Sequence, residues 1–549
     1  MIRHGGKILT DQLIKLGVRR VFSVPGESFL AALDGLYDSG IANIVCRQEG
    51  GAAMMAEAHG KMTGQPGVCF VTRGPGAANA TAGIHVAMQD STPLVMFVGQ
   101  IDNRQTDRET FQEVDYRAMF GGLAKWVAQV DHTARLPEYI GRAFRVATSG
   151  RPGPVVLALP ENMLSATADV PDLRIPAMQG ETPADTVQSI MHALAQATRP
   201  LVVVGGPHWS RTAQAQLQAF AETQALPVAA GFRRQDYIDN HHAHYAGDLN
   251  VGMNPRLADR VRSADFLLLL GTRFGDIETQ GYTLVDPADP QKTIVHVHAD
   301  PSEIGRVYVP DIGVAATAPA VLAGLADAAP AGNWSDWTAA ARADYETWAH
   351  PAESPGAFKQ ETAIKWLSDQ LPDDAIVTNG AGNYAAWLHR YFSYRQYGTQ
   401  LAPTSGSMGY GFPAAVAASL EHPGRQVVCL AGDGCFQMTC NEMSTAVQHG
   451  AKPIVVVMNN GRYGTIRMHQ EKTYPGRVSG TELHNPDFAA LARAYGGHGE
   501  TVLRNADFAD AFVRAQGAGT VAVLDCKVDA EALSTGATLR DIRQAAVTK

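Results

Sequence analysis

Along the chain, short runs built almost wholly of Val, Ile, Leu and Ala alternate with longer stretches in which apolar residues recur three or four positions apart. The apolar runs fall at 68–71, 94–98, 155–159, 201–204, 266–270, 294–297, 375–377, 427–430 and 454–458, each bounded by Gly, Pro or polar residues. Continuous apolar runs of this length suit strands covered on both faces, and the helical spacing between them joins such strands as parallel βαβ units. The predicted fold class is therefore α/β. Residues 1–17 mix Arg, His, Lys and Asp among short apolar pieces, an amphipathic helix pattern that lacks the apolar core of a signal peptide. No apolar run approaches the roughly 20 residues needed to span a bilayer.

Two breaks in the pattern divide the chain. Residues 165–185 are polar and contain Pro, and 329–357 carry Pro, Gly, Asn and Ser, which reads as two linkers. The units left are 1–165, 186–330 and 357–549, each within the usual size of a domain. The first and third share a layout of strand, Gly-rich turn, helix and a further strand ending in a polar loop, as an old duplication would.

Composition narrows the function classes. The 549 residues include 45 Lys+Arg against 54 Asp+Glu, a formal net charge of −9, and neither sign forms a run. A protein that neutralises nucleic-acid phosphates needs a basic surface, so nucleic acid is not the expected partner, and neither is a membrane. The six cysteines form no CxxC pair and no dense framework, which fits a reduced cytoplasm.

The chemistry is concentrated in 426–470, QVVCLAGDGCFQMTCNEMSTAVQHGAKPIVVVMNNGRYGTIRMHQ. A strand ends at Gly432-Asp433-Gly434, a helix is expected from about Gln437, and a second strand delivers Asn459-Asn460. Both polar ends then lie on one edge of a parallel sheet, where helix N-termini present free N–H groups to an anion. Asp433 and Asn460 are hard oxygen donors of the kind that hold Mg²⁺ together with a diphosphate. GDG alone is an ordinary turn; GDG with NN at this distance, each at a strand end, is far more specific.

With these motifs the chain resembles the thiamine diphosphate enzymes, and most densely the acetolactate (acetohydroxyacid) synthases. The resemblance implies three doubly wound parallel-sheet domains: pyrimidine-binding, central and diphosphate-binding. Asp433, Asn460 and the backbone carbonyl of Arg462 would be the Mg²⁺ ligands, and Gly434 and Cys435 would meet the diphosphate. Cys435 stands where the family usually has Ser, and a thiol is a poor donor, so its contact is expected through the backbone. Arg47-Gln48-Glu49-Gly50-Gly51 followed by GVCFVTRGPGAANA matches the synthases' GVCLVTSGPGATNA region. Glu49 would be the glutamate that hydrogen-bonds the cofactor's pyrimidine ring so that carbon C2 loses its proton. Gly406-Ser407-Met408-Gly409-Tyr410-Gly411 resembles the family's GTMGFG loop. There Met408 would wedge between the cofactor's two rings and the Gly406 carbonyl would accept from its amino group. Asn383 and Tyr384 fall where the synthases place a Gln-His pair near the diphosphate. Because Glu49 and Asp433 lie in different domains, the resemblance implies sites built between two copies, in a homodimer or homotetramer.

Phe111-Gln112-Glu113-Val114-Asp115 matches the synthases' FQExD and Arg151-Pro152-Gly153-Pro154-Val155 their RPGPV. By that match Gln112 would touch the reacting adduct and Lys125 would stand at the pocket mouth. There are departures. Ile277 replaces the final arginine of GARFDDR, which in the synthases binds the acceptor's carboxylate, and His469 replaces their specificity tryptophan. The flavin motifs are altered at Gly205-Gly206-Pro207 and at 247–252, which weakens the expectation of FAD. Glu27, in Val24-Pro25-Gly26-Glu27, is an acid where the synthases have glycine and where oxoacid decarboxylases carry aspartate. It is either a proton donor or simply a helix-starting carboxylate. The resemblance thus implies decarboxylation of a pyruvate-like 2-oxoacid and ligation to a carbonyl acceptor other than the usual oxoacid. Release of an aldehyde by a plain decarboxylase, a flavin-dependent oxidase and a non-catalytic homologue are the alternatives.

Overall fold

The computed structural model describes residues 2–174 and 183–548; the centre of the first expected linker lies outside the described residues. Every apolar run singled out above falls on a strand, with only Ala375 left outside one, and these strands belong to three six-stranded sheets in which all neighbours pair in parallel. In the first sheet, Ala42–Val45 is followed in space by Arg20–Ser23, Gly67–Val71, Leu94–Gln100, Pro154–Pro160 and Trp126–Gln129. The central sheet runs Tyr245–Asp248, Val228–Ala230, Pro200–Val204, Phe266–Leu270, Thr293–Val297, Ile312–Val314. The last runs Gln400–Leu401, Ile376–Asn379, Val427–Gly432, Ile454–Asn459, Ala522–Lys527, His498–Val502.

With the strands of each sheet numbered in chain order, the first and last sheets share the order 2-1-3-4-6-5 and the central one is 3-2-1-4-5-6. In the outer two the order reverses between strands 1 and 3, so the crevice where an open α/β sheet binds ligands opens beyond Ser23 and Val71 in one and beyond Asn379 and Gly432 in the other. Gly67–Val71, Leu94–Gln100 and Pro154–Pro160 are buried at every position, which is why they read as unbroken apolar runs rather than alternating ones.

The stretch 329–357, read as a linker, holds the helix Ser335–Ala349. Its polar residues misled because they cover the outside of the central domain. Beneath them Trp337 Nε1 donates to the Pro200 carbonyl (2.9 Å), Thr338 Oγ1 to that of Ala225 (2.7 Å), and the Tyr345 ring packs on Tyr245. No helix among the described residues is long and apolar enough to cross a membrane.

The outer domains meet through helices of small residues. Glu49–Thr63 lies between Pro75–Asp90 and Gly411–Glu421, and a Cβ added to Gly83 would come within 2.4 Å of the Ala53 Cβ. Only Gly and Ala permit helices to approach this closely.

Candidate active site

Helix formation begins at Asp433 itself (Asp433–Gln437) rather than near Gln437, so the carboxylate stands at the first turn with free N–H groups around it. Asp433 is 3% exposed. Gly434 N–H donates to its Oδ1 (2.9 Å), and Gly461 N–H (2.8 Å) and Asn485 Nδ2 (2.7 Å) donate to Oδ2. Asn485 also donates to Asn459 Oδ1 (2.9 Å), and Asn459 Nδ2 donates to Asp525, which pairs with Lys527. This chain of bonds fixes the carboxylate's orientation. Burial raises the Asp433 pKa, opposed by the bonds from Gly434, Asn485 and Gly461. A cation beside it would favour the ionised form.

The second strand ends at Asn459, and the turn after it is fixed by Tyr463 N–H on the Thr481 carbonyl and Leu483 N–H on that of Gly461, both 2.8 Å. Asn460 Oδ1 accepts from Arg462 N–H at 3.2 Å. A cavity of about 240 Å³ opens here, and its walls include Asn383, Tyr384, Gly406, Met408, Asp433, Gly434, Cys435, Asn460 and Arg462. One carboxylate, one amide oxygen and a backbone carbonyl form an oxygen donor set that suits Mg²⁺ when a diphosphate supplies further oxygens and charge. Trp387, Met408, Ile466 and Val528 also line it and make part of the wall apolar. The residues therefore fit a metal-bound diphosphate attached to an organic group.

Cys435 is buried, with Sγ accepting from Gly409 N–H (3.2 Å) and from the Tyr384 hydroxyl (3.4 Å), which itself accepts from Gly380 N–H (3.0 Å). The thiol thus joins three loops, leaving the backbone for a ligand. Asn383 is tied down at both ends: Thr465 Oγ1 donates to Oδ1 (2.8 Å), and Nδ2 donates to the Leu533 carbonyl (2.5 Å).

Glu49 opens the helix Glu49–Thr63 and is 9% exposed. Asn79 Nδ2 donates to its Oε2 (2.9 Å), and Gly76 leaves room beside it, where an added Cβ would lie 3.2 Å from Oε1. The helix start is positioned from the last domain: the buried Glu442 carboxylate accepts from Arg47 N–H (3.2 Å) and Gln48 N–H (3.0 Å). Gln112 is held in the left-handed region (φ 66°) against Gly74, which receives the Tyr116 hydroxyl as acceptor of its N–H (2.9 Å). A non-glycine residue persists there only where its surroundings over-determine it. Glu27 is largely exposed and ion-paired with Arg73 (2.9 Å), which also meets Glu161 (3.2 Å).

Lys125, expected at a pocket mouth, is held within this chain at a helix end. Its ammonium donates to the carbonyls of Val146 and Ser149, both at 2.6 Å, at the end of the helix Leu136–Thr148. Free carbonyls at a helix C-terminus draw a cation, and burial pushes the amine down to about 8. The acids of the first domain and the cavity of the last do not share a wall within one chain: neither Glu49, Gln112 nor Glu27 lines the Asp433 cavity. Sequence reasoning missed Asn485, Asn79 and Glu442; Asn79 and Glu442 lie inside quoted segments, but the role of each depends on a residue distant in the chain.

In the central domain, Glu278 spans the strand ends. It accepts from the Thr272 hydroxyl (2.6 Å), Phe232 N–H (3.1 Å) and Gly275 N–H (3.2 Å), and it lies against Gly231. A dinucleotide diphosphate needs donors at such an edge, and a buried carboxylate takes them instead. These residues do not fit a flavin dinucleotide.

Three family models match, described as "Thiamine pyrophosphate enzyme, N-terminal TPP binding domain" over residues 3–119, "central domain" over 187–325, and "C-terminal TPP binding domain" over 380–526. The chain is 31% identical over 505 residues to "Acetolactate synthase isozyme 2 large subunit" of Escherichia coli K12, covering 91% of each chain. It is 31% identical to "Acetolactate synthase large subunit" of Corynebacterium glutamicum (90% of this chain, 81% of the relative). It is 33% identical to the protein of that name in Parasynechococcus marenigrum (90% and 82%).

Proposed function

The chain belongs to the thiamine pyrophosphate enzymes, among the acetolactate synthase-like carboligases, and from that premise we propose how its own residues carry the reaction. Thiamine diphosphate, when bound, supplies the nucleophilic carbon that attacks a 2-oxoacid and the ring that takes up electrons as CO₂ leaves. Asp433, Asn460 and the Arg462 carbonyl would hold Mg²⁺. Gly434 N–H and the first turn of Asp433–Gln437 meet the diphosphate, with Asn383, Tyr384 and Cys435 forming the walls. Met408 and the Gly406 carbonyl, both in the cavity wall, would pack against the bound cofactor and accept a hydrogen bond from it, respectively. Glu49 moves the proton at the pyrimidine nitrogen. Gln112 contacts the reacting carbons. Glu27 is the candidate proton donor if an aldehyde is released, which requires its ion pair with Arg73 to open. No step is assigned to FAD or to Lys125.

The observation that carries this reading is the convergence of nine residues, scattered from 383 to 462, on one cavity of about 240 Å³ whose walls combine an oxygen donor set with apolar side chains. Glu49 reaches that cavity from a second copy. Exposed apolar side chains near both halves support this, Phe111 beside Gln112, Ile466 in the cavity wall and Met438 against Gly409. Mass-spectrometric product analysis with pyruvate and carbonyl acceptors, in Mg²⁺ and thiamine diphosphate, tests the reading. A new hydroxyketone is expected; acetaldehyde alone would assign the chain to the decarboxylases, and no cofactor-dependent product would reject the reading.

A further inference from the structure

Four parallel strands of the first sheet, Arg20–Ser23, Gly67–Val71, Leu94–Gln100 and Pro154–Pro160, end on one edge, and the segment after each brings a charged side chain there: Glu27, Arg73, Asp102 and Glu161. Open parallel sheets bind their ligands outside the carboxyl ends of the strands. An open cleft of about 500 Å³ lies at this edge, with Glu27, Asp102, Arg104 and Glu161 in its wall. The same edge carries the two residues assigned to the chemistry. A Cβ added to Gly74, next to Arg73, would lie 2.9 Å from the Gln112 Cβ, and one added to Gly76 3.2 Å from Glu49 Oε1.

Arg73 organises the wall. It is 7% exposed, and its terminal nitrogens go to two different carboxylates, Nη2 to Glu27 Oε1 (2.9 Å) and Nη1 to Glu161 Oε2 (3.2 Å). Each carboxylate is thereby fixed by one oxygen, and among the described residues the second oxygen of each, Glu27 Oε2 and Glu161 Oε1, has no partner. Both side chains are reachable, at 70% and 43% exposure. Arg104 donates to Asp102 through Nε (2.9 Å) and Nη2, which leaves Nη1 unengaged. Three carboxylates against two guanidiniums give the wall one excess negative charge. A carboxylate only accepts and a guanidinium only donates, whereas a hydroxyl does both, so oriented acceptors beside a donor suit hydroxyl groups. The excess charge opposes an anion, and the guanidiniums oppose a cation.

Three departures from the synthase pattern coincide. Arg73 stands where GVCLVTSGPGATNA has Ser, and Glu27 stands where the synthases have glycine, so neither half of this ion pair exists in that pattern. Ile277 meanwhile takes the place of the arginine for an acceptor's carboxylate. We propose that the cleft receives the acceptor and that the acceptor is a small, uncharged hydroxyaldehyde. The proposal rests on the carboligase reading above and names its acceptor class. Pyruvate loses CO₂, its acyl carbon bonds to the aldehyde carbon, and a solvent proton completes the new hydroxyl. Glu161 accepts from a hydroxyl of the acceptor, and Arg73 is the positioning residue that holds Glu161 and Glu27 in place.

The test uses the full-length holoenzyme with Mg²⁺ and thiamine diphosphate, pyruvate as donor, and three acceptors: glyceraldehyde, propanal, which has the same carbon chain without hydroxyls, and 2-oxobutyrate. The kcat/KM for glyceraldehyde is expected to exceed that for either of the others by about 10-fold or more. Glu161→Ala is expected to lower the glyceraldehyde-to-propanal ratio at least about 5-fold, mainly through the KM of glyceraldehyde, with propanal changed by no more than about 3-fold. Arg73→Ser, which releases both carboxylates, should lower the ratio in the same direction, so the proposal stays testable if one variant folds poorly. A preference for 2-oxobutyrate, a ratio near one in the wild-type chain, or an unchanged ratio in the folded variants would overturn it. If the wild-type chain ligates none of the three, the carboligase reading fails by itself. Saturation-transfer NMR of the holoprotein with erythritol, a non-reacting polyol, then decides for the cleft: a signal in the wild-type chain that is lost in Glu161→Ala supports hydroxyl recognition, and no signal or an equal one refutes it.

Discussion

Asp433 and Glu49 are both buried carboxylates, but their surroundings differ in kind. Asp433 is oriented by three donors and faces an amide and a carbonyl oxygen, the environment of a metal ligand. Glu49 has one donor, Asn79, and open space beside Gly76, so one carboxylate oxygen is left for a ligand. Glu49→Gln keeps the shape and removes the ionisable group. It is expected to lower turnover at least about 100-fold with Mg²⁺ and cofactor binding retained, measured by steady-state kinetics beside calorimetry. Asp433→Ala is expected to do the reverse, weakening Mg²⁺-dependent cofactor binding about 100-fold, and Asn485→Ala should weaken it by a smaller factor through loss of orientation. The motif residues were legible because a sheet edge forces chemistry to cluster in short segments. Asn485 was not, since its role depends on a loop folding back from 25 positions beyond Asn460. For Lys125, a matching residue type does not say where an ammonium points when two helix-end carbonyls lie within reach.

The elements were legible to different degrees. Strands buried on both faces announce themselves as apolar runs, and all nine were found with ends within a few residues. The helix Ser335–Ala349 was missed since its exposed face is polar and its buried face is made of scattered Trp, Thr and Tyr. The close packing of the helix Glu49–Thr63 through Gly and Ala was not legible. Gly83→Val should overpack that contact, destabilising the fold by about 1–3 kcal/mol and lowering the thermal midpoint accordingly. The same variant should slow turnover, because the displaced helix carries Glu49. Thermal melts and kinetics on one preparation check both.

At the scale of the molecule, the shared strand order of the outer sheets accounts for a layout that repeated along the sequence, whereas no sequence pattern shows how the domains dock. One docking contact joins Glu421, at the end of Gly411–Glu421, to Arg20 and to His59, whose Nδ1 is 3.3 Å away. The His59 contact and, against the opposing effect of burial, Arg20 hold the Glu421 carboxyl at about 2, below its ordinary 4.5. Because the folded value is the lower one, the contribution is complete above pH 4.5 and is lost as pH falls from there towards about 2, where the unfolded chain takes up a proton first. Glu421→Gln should flatten that part of the melting-temperature profile.

The central claim is that Glu49 of one copy and Asp433 of another serve one cofactor. Co-expression of Glu49→Gln with Asp433→Ala tests it most directly, assayed at a cofactor concentration at which each variant alone is inactive. Random pairing makes half the dimers mixed, and each mixed dimer carries one intact site of two, so about one quarter of wild-type specific activity is expected in the co-expressed protein. Mixed dimers that form, shown by two distinct affinity tags, yet remain inactive would contradict the claim.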